Sequence, residues 1–211
     1  MRLHYIAIEG VIGVGKTSLA QKLAEHFGAR TILEQHEENP FLPDFYRNPR
    51  RFAFPCQLFF LLSRYRQQQE IPQRDLFHEL LITDYIFAKD RIFASLTLED
   101  RELFLYDKIA SLLEADVPRP DLVIYLQSST ERIMANIRKR NREYEKPITE
   151  EYIRALNEAY NQFFINYSAS PLLIVNATQI DFVNREEDFH DLVQQIQRPI
   201  SKTQYYSPLK E

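Results

Sequence analysis

Ile8-Glu9-Gly10-Val11-Ile12-Gly13-Val14-Gly15-Lys16-Thr17-Ser18 holds three of the four glycines in the chain and fits the phosphate-loop pattern of Gly, four residues, Gly-Lys-Thr. Before it, Tyr5-Ile6-Ala7-Ile8 reads as a short buried strand. After it, the stretch from Ser18 to Phe27 reads as a good helix that Gly28 can end in the left-handed conformation. Strand, glycine loop and helix in this order make an anion cradle. Glycine lets the backbone turn its N–H groups inward, and the helix N-terminus adds partial positive charge. On this reading Gly10, Val11, Ile12, Gly13, Val14, Gly15, Lys16, Thr17 and Ser18 surround a nucleotide polyphosphate. Lys16 reaches the β- and γ-phosphates, and Thr17 offers its hydroxyl to Mg²⁺.

The rest of the composition narrows the class. The chain has 211 residues, 45% of them hydrophobic, with fifteen Phe and twelve Tyr, enough for one well-filled α/β domain spanning 1–211. A net charge of −4 argues against a surface built for a nucleic acid polymer. One cysteine, Cys56, excludes an internal disulfide and fits a reducing compartment. The expectation is a cytoplasmic protein, since the N-terminus runs straight into a strand and no apolar run approaches a membrane span. No glycine follows Gly28, so neither an Asp-x-x-Gly switch nor a glycine-rich transporter signature can be present. Among phosphate-loop proteins this leaves mainly small-molecule kinases.

Apolar strand candidates at 4–8, 31–34, 80–84, 122–127 and 172–176 alternate with helical stretches at 49–70, 86–95, 98–115, 130–140, 149–167 and 185–197. The alternation predicts a five-stranded parallel sheet with helices on both faces; Pro55 predicts a kink in the second helix, and residues 201–211 a loosely held tail. Ligands of such sheets lie beyond the carboxyl ends of the strands. There Glu34 could accept a proton from an attacking hydroxyl, and Asp84 could hold Mg²⁺ with Thr17. Gln57 and Arg64 stand seven residues apart on one helix face amid Phe59, Phe60, Leu61 and Leu62, either reading a nucleobase edge or facing solvent. The basic run Arg138-Lys139-Arg140-Asn141-Arg142 either offsets a helix dipole or closes as a lid, about residues 138–147, over a triphosphate.

These residues together resemble the deoxynucleoside kinases, the family that phosphorylates deoxycytidine, deoxyguanosine and deoxyadenosine, and most of all its bacterial purine-directed members. The likeness runs through nearly the whole chain and implies a P-loop kinase fold with a helical lid, ATP and Mg²⁺ as donor and cofactor, and a homodimer. It assigns Glu34 as general base, Tyr46 to the sugar 3′-hydroxyl, and Gln57, Arg64 and Asp90 to the base. The segment Lys139-Arg140-Asn141-Arg142-Glu143-Tyr144-Glu145 is similar to the lid signature, with Arg140 and Arg142 on phosphates and Glu145 on the 3′-hydroxyl. Asp181-Phe182 resembles the loop beside the ATP adenine.

One departure stands out. The family carries Glu-Arg-Ser or Asp-Arg-Ser after the third strand, and this chain has Asp84-Tyr85-Ile86. A phenol cannot supply a guanidinium, which leaves Lys89 or a lid arginine as substitute cation. Asn136 stands at the lid's first arginine position. Two other functions remain open on these residues. A nucleoside monophosphate kinase would need an extra cation from Arg47, Arg50 or Arg51, and a nucleotide-binding regulatory protein would have lost catalysis with Tyr85.

Overall fold

In the computed structural model, which describes residues 3–71 and 78–208, strand β1 (Tyr5–Gly10) is buried along its whole length. Its side chains alternate between two cores. Ile6 and Ile8 face α1 (Lys16–Phe27) and α8 (Glu186–Gln197), meeting Leu19, Leu23, Phe189 and Leu192. Tyr5 and Ala7 face the opposite side, where α6 (Thr130–Arg140) and α7 (Glu150–Ile165) contribute Ile133, Ile137, Leu156, Tyr160 and Phe164. A strand covered on both faces has no polar side to present, which is why these segments read as unbroken apolar runs. Glu9 falls on the second face and is the exception to that rule.

Around β1 the sheet adds β2 (Arg30–Ile32), β3 (Leu81–Thr83), β4 (Leu122–Gln127), β5 (Leu172–Asn176) and β6 (Thr203–Tyr206) in the order β2-β3-β1-β4-β5-β6. Every pairing is parallel. The chain builds outward from β1 in both directions, so the carboxyl ends of β1, β2 and β3 converge beside the crossover, where an open α/β sheet has its crevice.

The sheet has six strands where five are expected from the sequence. The sixth comes from the supposedly loose tail, whose residues 209–211 lie outside the described region. Thr-Gln-Tyr-Tyr hides itself as a strand because it is a mostly exposed edge with no apolar alternation. A second addition is α2 (Leu42–Arg47), which with α3 (Pro49–Gln68) buries Leu42, Phe45, Ala53 and Cys56 in a separate cluster. α3 is assigned as one helix through Pro55. Two further helices, α4 (Lys89–Thr97) and α5 (Asp100–Glu114), pack with α3 around Leu61, Ala94 and Tyr106. No helix among the described residues is long and apolar enough to cross a membrane.

β6 replaces solvent at the β5 edge, with Leu172 opposite Thr203 and Val175 opposite Tyr206. Its hydrogen bonds and the packing of Tyr206 against the first core are worth ~2 kcal/mol in net terms. Deleting residues 203–211 is therefore expected to lower the thermal midpoint by about 4–8 °C. An unchanged midpoint in differential scanning calorimetry would show that the strand contributes nothing.

Candidate active site

The loop between β1 and α1 is shaped by glycines that no other residue replaces cheaply. Gly13 has φ 83°, and a Cβ there would stand 2.8 Å from Ile137 Cγ1; at Gly10, φ 152°, it would stand 2.7 Å from the Leu126 carbonyl oxygen. Lys16 Nζ donates to the carbonyls of Gly10 (2.8 Å) and Val11 (3.3 Å), curling back over its own loop. Burial, helped by repulsion from Lys89, depresses its pKa to about 8. Asn136 Nδ2 donates to Gly13 O at 3.0 Å, so the residue at the lid's expected arginine position ties α6 to the loop instead.

Two carboxylates close the other strand ends. Asp84 accepts from Thr17 Oγ1 through one oxygen and from the Glu34 amide through the other, at 2.7 Å. That fixes the chain beyond β2 against the chain beyond β3. Thr17 and Asp84 thus present adjoining hard oxygen donors, a donor set that suits Mg²⁺. Among the described residues no group of three His, Cys, Asp or Glu side chains forms a metal cluster, so an ion here would need ligands from its substrate or from water as well.

Glu34 sits between two cations. Arg64 donates to Oε1 through Nε (2.9 Å) and through a second guanidinium nitrogen, and Lys89 Nζ donates to Oε2 at 2.8 Å. Burial pushes the carboxyl's pKa up, but Arg64 and Lys89 more than reverse this and hold it below the usual carboxylate range. Arg64 also pairs with Asp90, and both are almost fully buried. Glu9 is completely buried, accepts from the amides of Gly10 (2.9 Å) and Ile86 (3.2 Å), and lies 3.9 Å from Lys89 Nζ. Burial raises its pKa, against the pull of Lys89 and Lys16.

Two cavities meet at this cluster. One, about 740 Å³, runs from the loop to a partly apolar end formed by Phe45, Tyr46, Gln57, Phe60 and Phe93, with Glu34, Arg64, Asp84 and Lys89 on its wall. The other, about 1460 Å³, spreads from Gly13–Ser18 to the segment 177–184, taking in Asp181 and Phe182. They share Gly13, Lys16, Thr17 and Arg140.

The structure thus gathers Lys16, Thr17, Glu34, Tyr46, Gln57, Arg64, Asp84 and Arg140 on one cavity. Asp90 stands behind Arg64 and lines neither of these two cavities. Arg142 and Glu145 also lie outside both linings. Glu145 accepts from Arg140 Nε at 3.1 Å, while Arg142 contacts His36 and donates to Tyr144 OH at 3.0 Å. Asn141 between them is left-handed, φ 51°. Arg47, Arg50 and Arg51 are exposed and line neither cavity, and the first two pair with Asp44 and Glu99. Tyr85 is buried in the core and absent from the cavity wall. His36, Phe93 and Tyr152 also line the smaller cavity, and nothing in the sequence separated them from ordinary core and loop residues.

Comparisons with known proteins point to one family. The family model "Deoxynucleoside kinase" matches residues 6–201. Deoxyguanosine kinase of Bacillus subtilis (strain 168) is 36% identical over 201 residues, covering 93% of this chain and 97% of that enzyme. Deoxyadenosine kinase of Dictyostelium discoideum is 35% identical, covering 87% and 75%. The deoxyadenosine/deoxycytidine kinase of B. subtilis is 30% identical, covering 94% of each. Among solved structures, deoxyadenosine kinase from M. mycoides with bound dATP superimposes with a TM-score of 0.81 at 25% identity, covering 93% of this chain and all of that one. The same enzyme with dCMP and dCDP gives 0.80 at 26% identity, covering 91% and 98%.

Because the Lys16 ammonium is protonated below about 8 and an anion would hold its proton, polyphosphate affinity is expected to fall as pH rises past that value. The limit is about tenfold per pH unit for a single linked proton. Titrating an ATP analogue between pH 7 and 9 checks this, and a flat profile would show that Lys16 does not lose its proton in this range.

Proposed function

The chain belongs to the deoxynucleoside kinase family, and from that premise we propose that it transfers the γ-phosphate of ATP to the 5′-hydroxyl of a purine deoxynucleoside, deoxyadenosine or deoxyguanosine. The observation that carries this reading is the meeting of two cavities at Lys16, Thr17 and Arg140, with the Glu34 carboxylate on the wall of the smaller one. A triphosphate in the larger cavity and a nucleoside in the smaller would bring γ-phosphorus and 5′-oxygen together there.

In this reading the 5′-oxygen forms a bond to the γ-phosphorus while the bond to the β,γ-bridging oxygen breaks, and Glu34 takes the hydroxyl proton. Lys16 and Arg140, on the walls of both cavities, offset the charge on the transferring group; Arg142, outside both linings, joins them when residues 138–147 close; and the amides of Gly10–Ser18 hold the donor. Rate comes from alignment and fixed charge, since this transfer leaves little covalent work to the protein. Thr17 and Asp84 would hold Mg²⁺, which would supply positive charge to offset that of the donor phosphates. Asp181 and Phe182 border the donor's base, and residues 138–147 act as the lid.

Gln57 and Arg64, buried among aromatic side chains, supply donors and an acceptor to the nucleobase, and Asp90 steadies Arg64. Tyr46 takes the 3′-hydroxyl from the cavity wall, and Glu145, outside that lining, joins it when residues 138–147 close. The names of the relatives support a purine: two are named for deoxyguanosine or deoxyadenosine, and the third for deoxyadenosine together with deoxycytidine. A homodimer completes the proposal. Phe104, Leu105 and Leu112 on α5, all exposed, would be covered in it.

ADP release over a panel of deoxyadenosine, deoxyguanosine, deoxycytidine, dAMP and dTMP tests the function. Turnover highest with a purine deoxynucleoside is expected, and a preference for the monophosphates or for deoxycytidine would overturn the substrate assignment. Glu34→Gln is expected to keep ATP affinity while lowering kcat by about a hundredfold or more. Native turnover in that variant would remove Glu34 as the base.

A further inference from the structure

Lysine is rarely enclosed without a reason, and Lys89, 3% exposed, has its ammonium at the wall of the acceptor cavity. It is the first residue of α4, reached through a turn in which its own amide donates to Ile86 O at 3.2 Å. The ammonium can donate three hydrogen bonds, and Glu34 Oε2 takes one; Glu9 Oε1, at 3.9 Å, is beyond hydrogen-bond range. Arg64 is different, because it divides its guanidinium between Glu34 and Asp90 and so belongs equally to the base end of the cavity. Among the described residues Arg64 ion-pairs with a second carboxylate, Asp90, while Lys89 hydrogen-bonds to no carboxylate besides Glu34.

We propose that Lys89 is the positioning residue of phosphoryl transfer, clamping Glu34 Oε2 so that the remaining lone pairs of the carboxylate face the acceptor hydroxyl. It does so from one turn beyond Tyr85, whose phenol fills the second core and leaves the cavity wall without a cation at position 85. A purely structural ion pair would need no outlet to the cavity. Lys89 and Lys16 instead line the same space and repel each other across it, an arrangement that an anion arriving between them relieves.

The inference rests on Glu34 being the base, and the test separates the two claims. Lys89→Gln is expected to lower kcat about a hundredfold, leaving KM for ATP and nucleoside within about threefold. In a Glu34→Gln background the same substitution is expected to cost less than about threefold, because a clamp has nothing left to hold. Lys89→Arg, which keeps the charge, is expected to retain at least a tenth of native kcat. Native kcat in Lys89→Gln, or an equal loss with and without Glu34, would overturn the role of Lys89 alone. Native kcat in Glu34→Gln would overturn the base and with it the clamp. Should Lys89→Gln fail to fold in a thermal melt, Lys89→Arg decides. A kcat above a tenth of native with unchanged nucleoside KM supports the clamp, and a lower one overturns it.

Discussion

Charges withdrawn from water must be matched within the protein, and that constraint governs everything at the carboxyl ends of β1, β2 and β3. Glu9, Asp84, Asp90, Arg64 and Lys89 are buried there, and Glu34 and Lys16 join them at the cavity wall, partly exposed. A single unmatched member would cost several kcal/mol, on the order of 3–5 for breaking a buried pair. The strands, the loop and the start of α4 are therefore held in register by ion pairs as much as by the two apolar cores that flank the sheet. The same matching keeps Glu34 charged in a place where burial alone would neutralise it.

The parts of the fold that depend on apolar pattern were readable before any coordinates. β1, β4 and β5 are buried on both faces, so their sequences are mostly apolar runs, broken in β1 by Glu9, and glycines with positive φ announce the loop between β1 and α1. β6 and α2 were not readable. Thr203–Tyr206 is a mostly exposed edge, and Leu42–Arg47 is a single short turn-and-a-half whose burial comes from packing on α3. Both are fixed by tertiary contacts, not by local pattern.

For the site, the same division holds. Glu34 and Asp84 follow from standing at strand ends, and Gln57 and Arg64 from their seven-residue spacing on α3. Asn136 carries no such signal, since its value lies in one hydrogen bond to a carbonyl 123 positions away. Arg142 and Glu145 occupy the expected lid, yet they pair with His36, Tyr144 and Arg140, contacts that depend on how the left-handed Asn141 turns the chain.

The partition shared by the two cavities carries a thermodynamic obligation. Gly13, Lys16, Thr17 and Arg140 belong to both walls, so whatever fills one chamber changes the field and the side-chain freedom met by an occupant of the other. Linkage makes that influence symmetrical: the factor by which a donor alters the hold on an acceptor equals the factor in the reverse direction. A molecule long enough to span the partition would draw on both chambers at once, with its second half delivered at high effective concentration by its first.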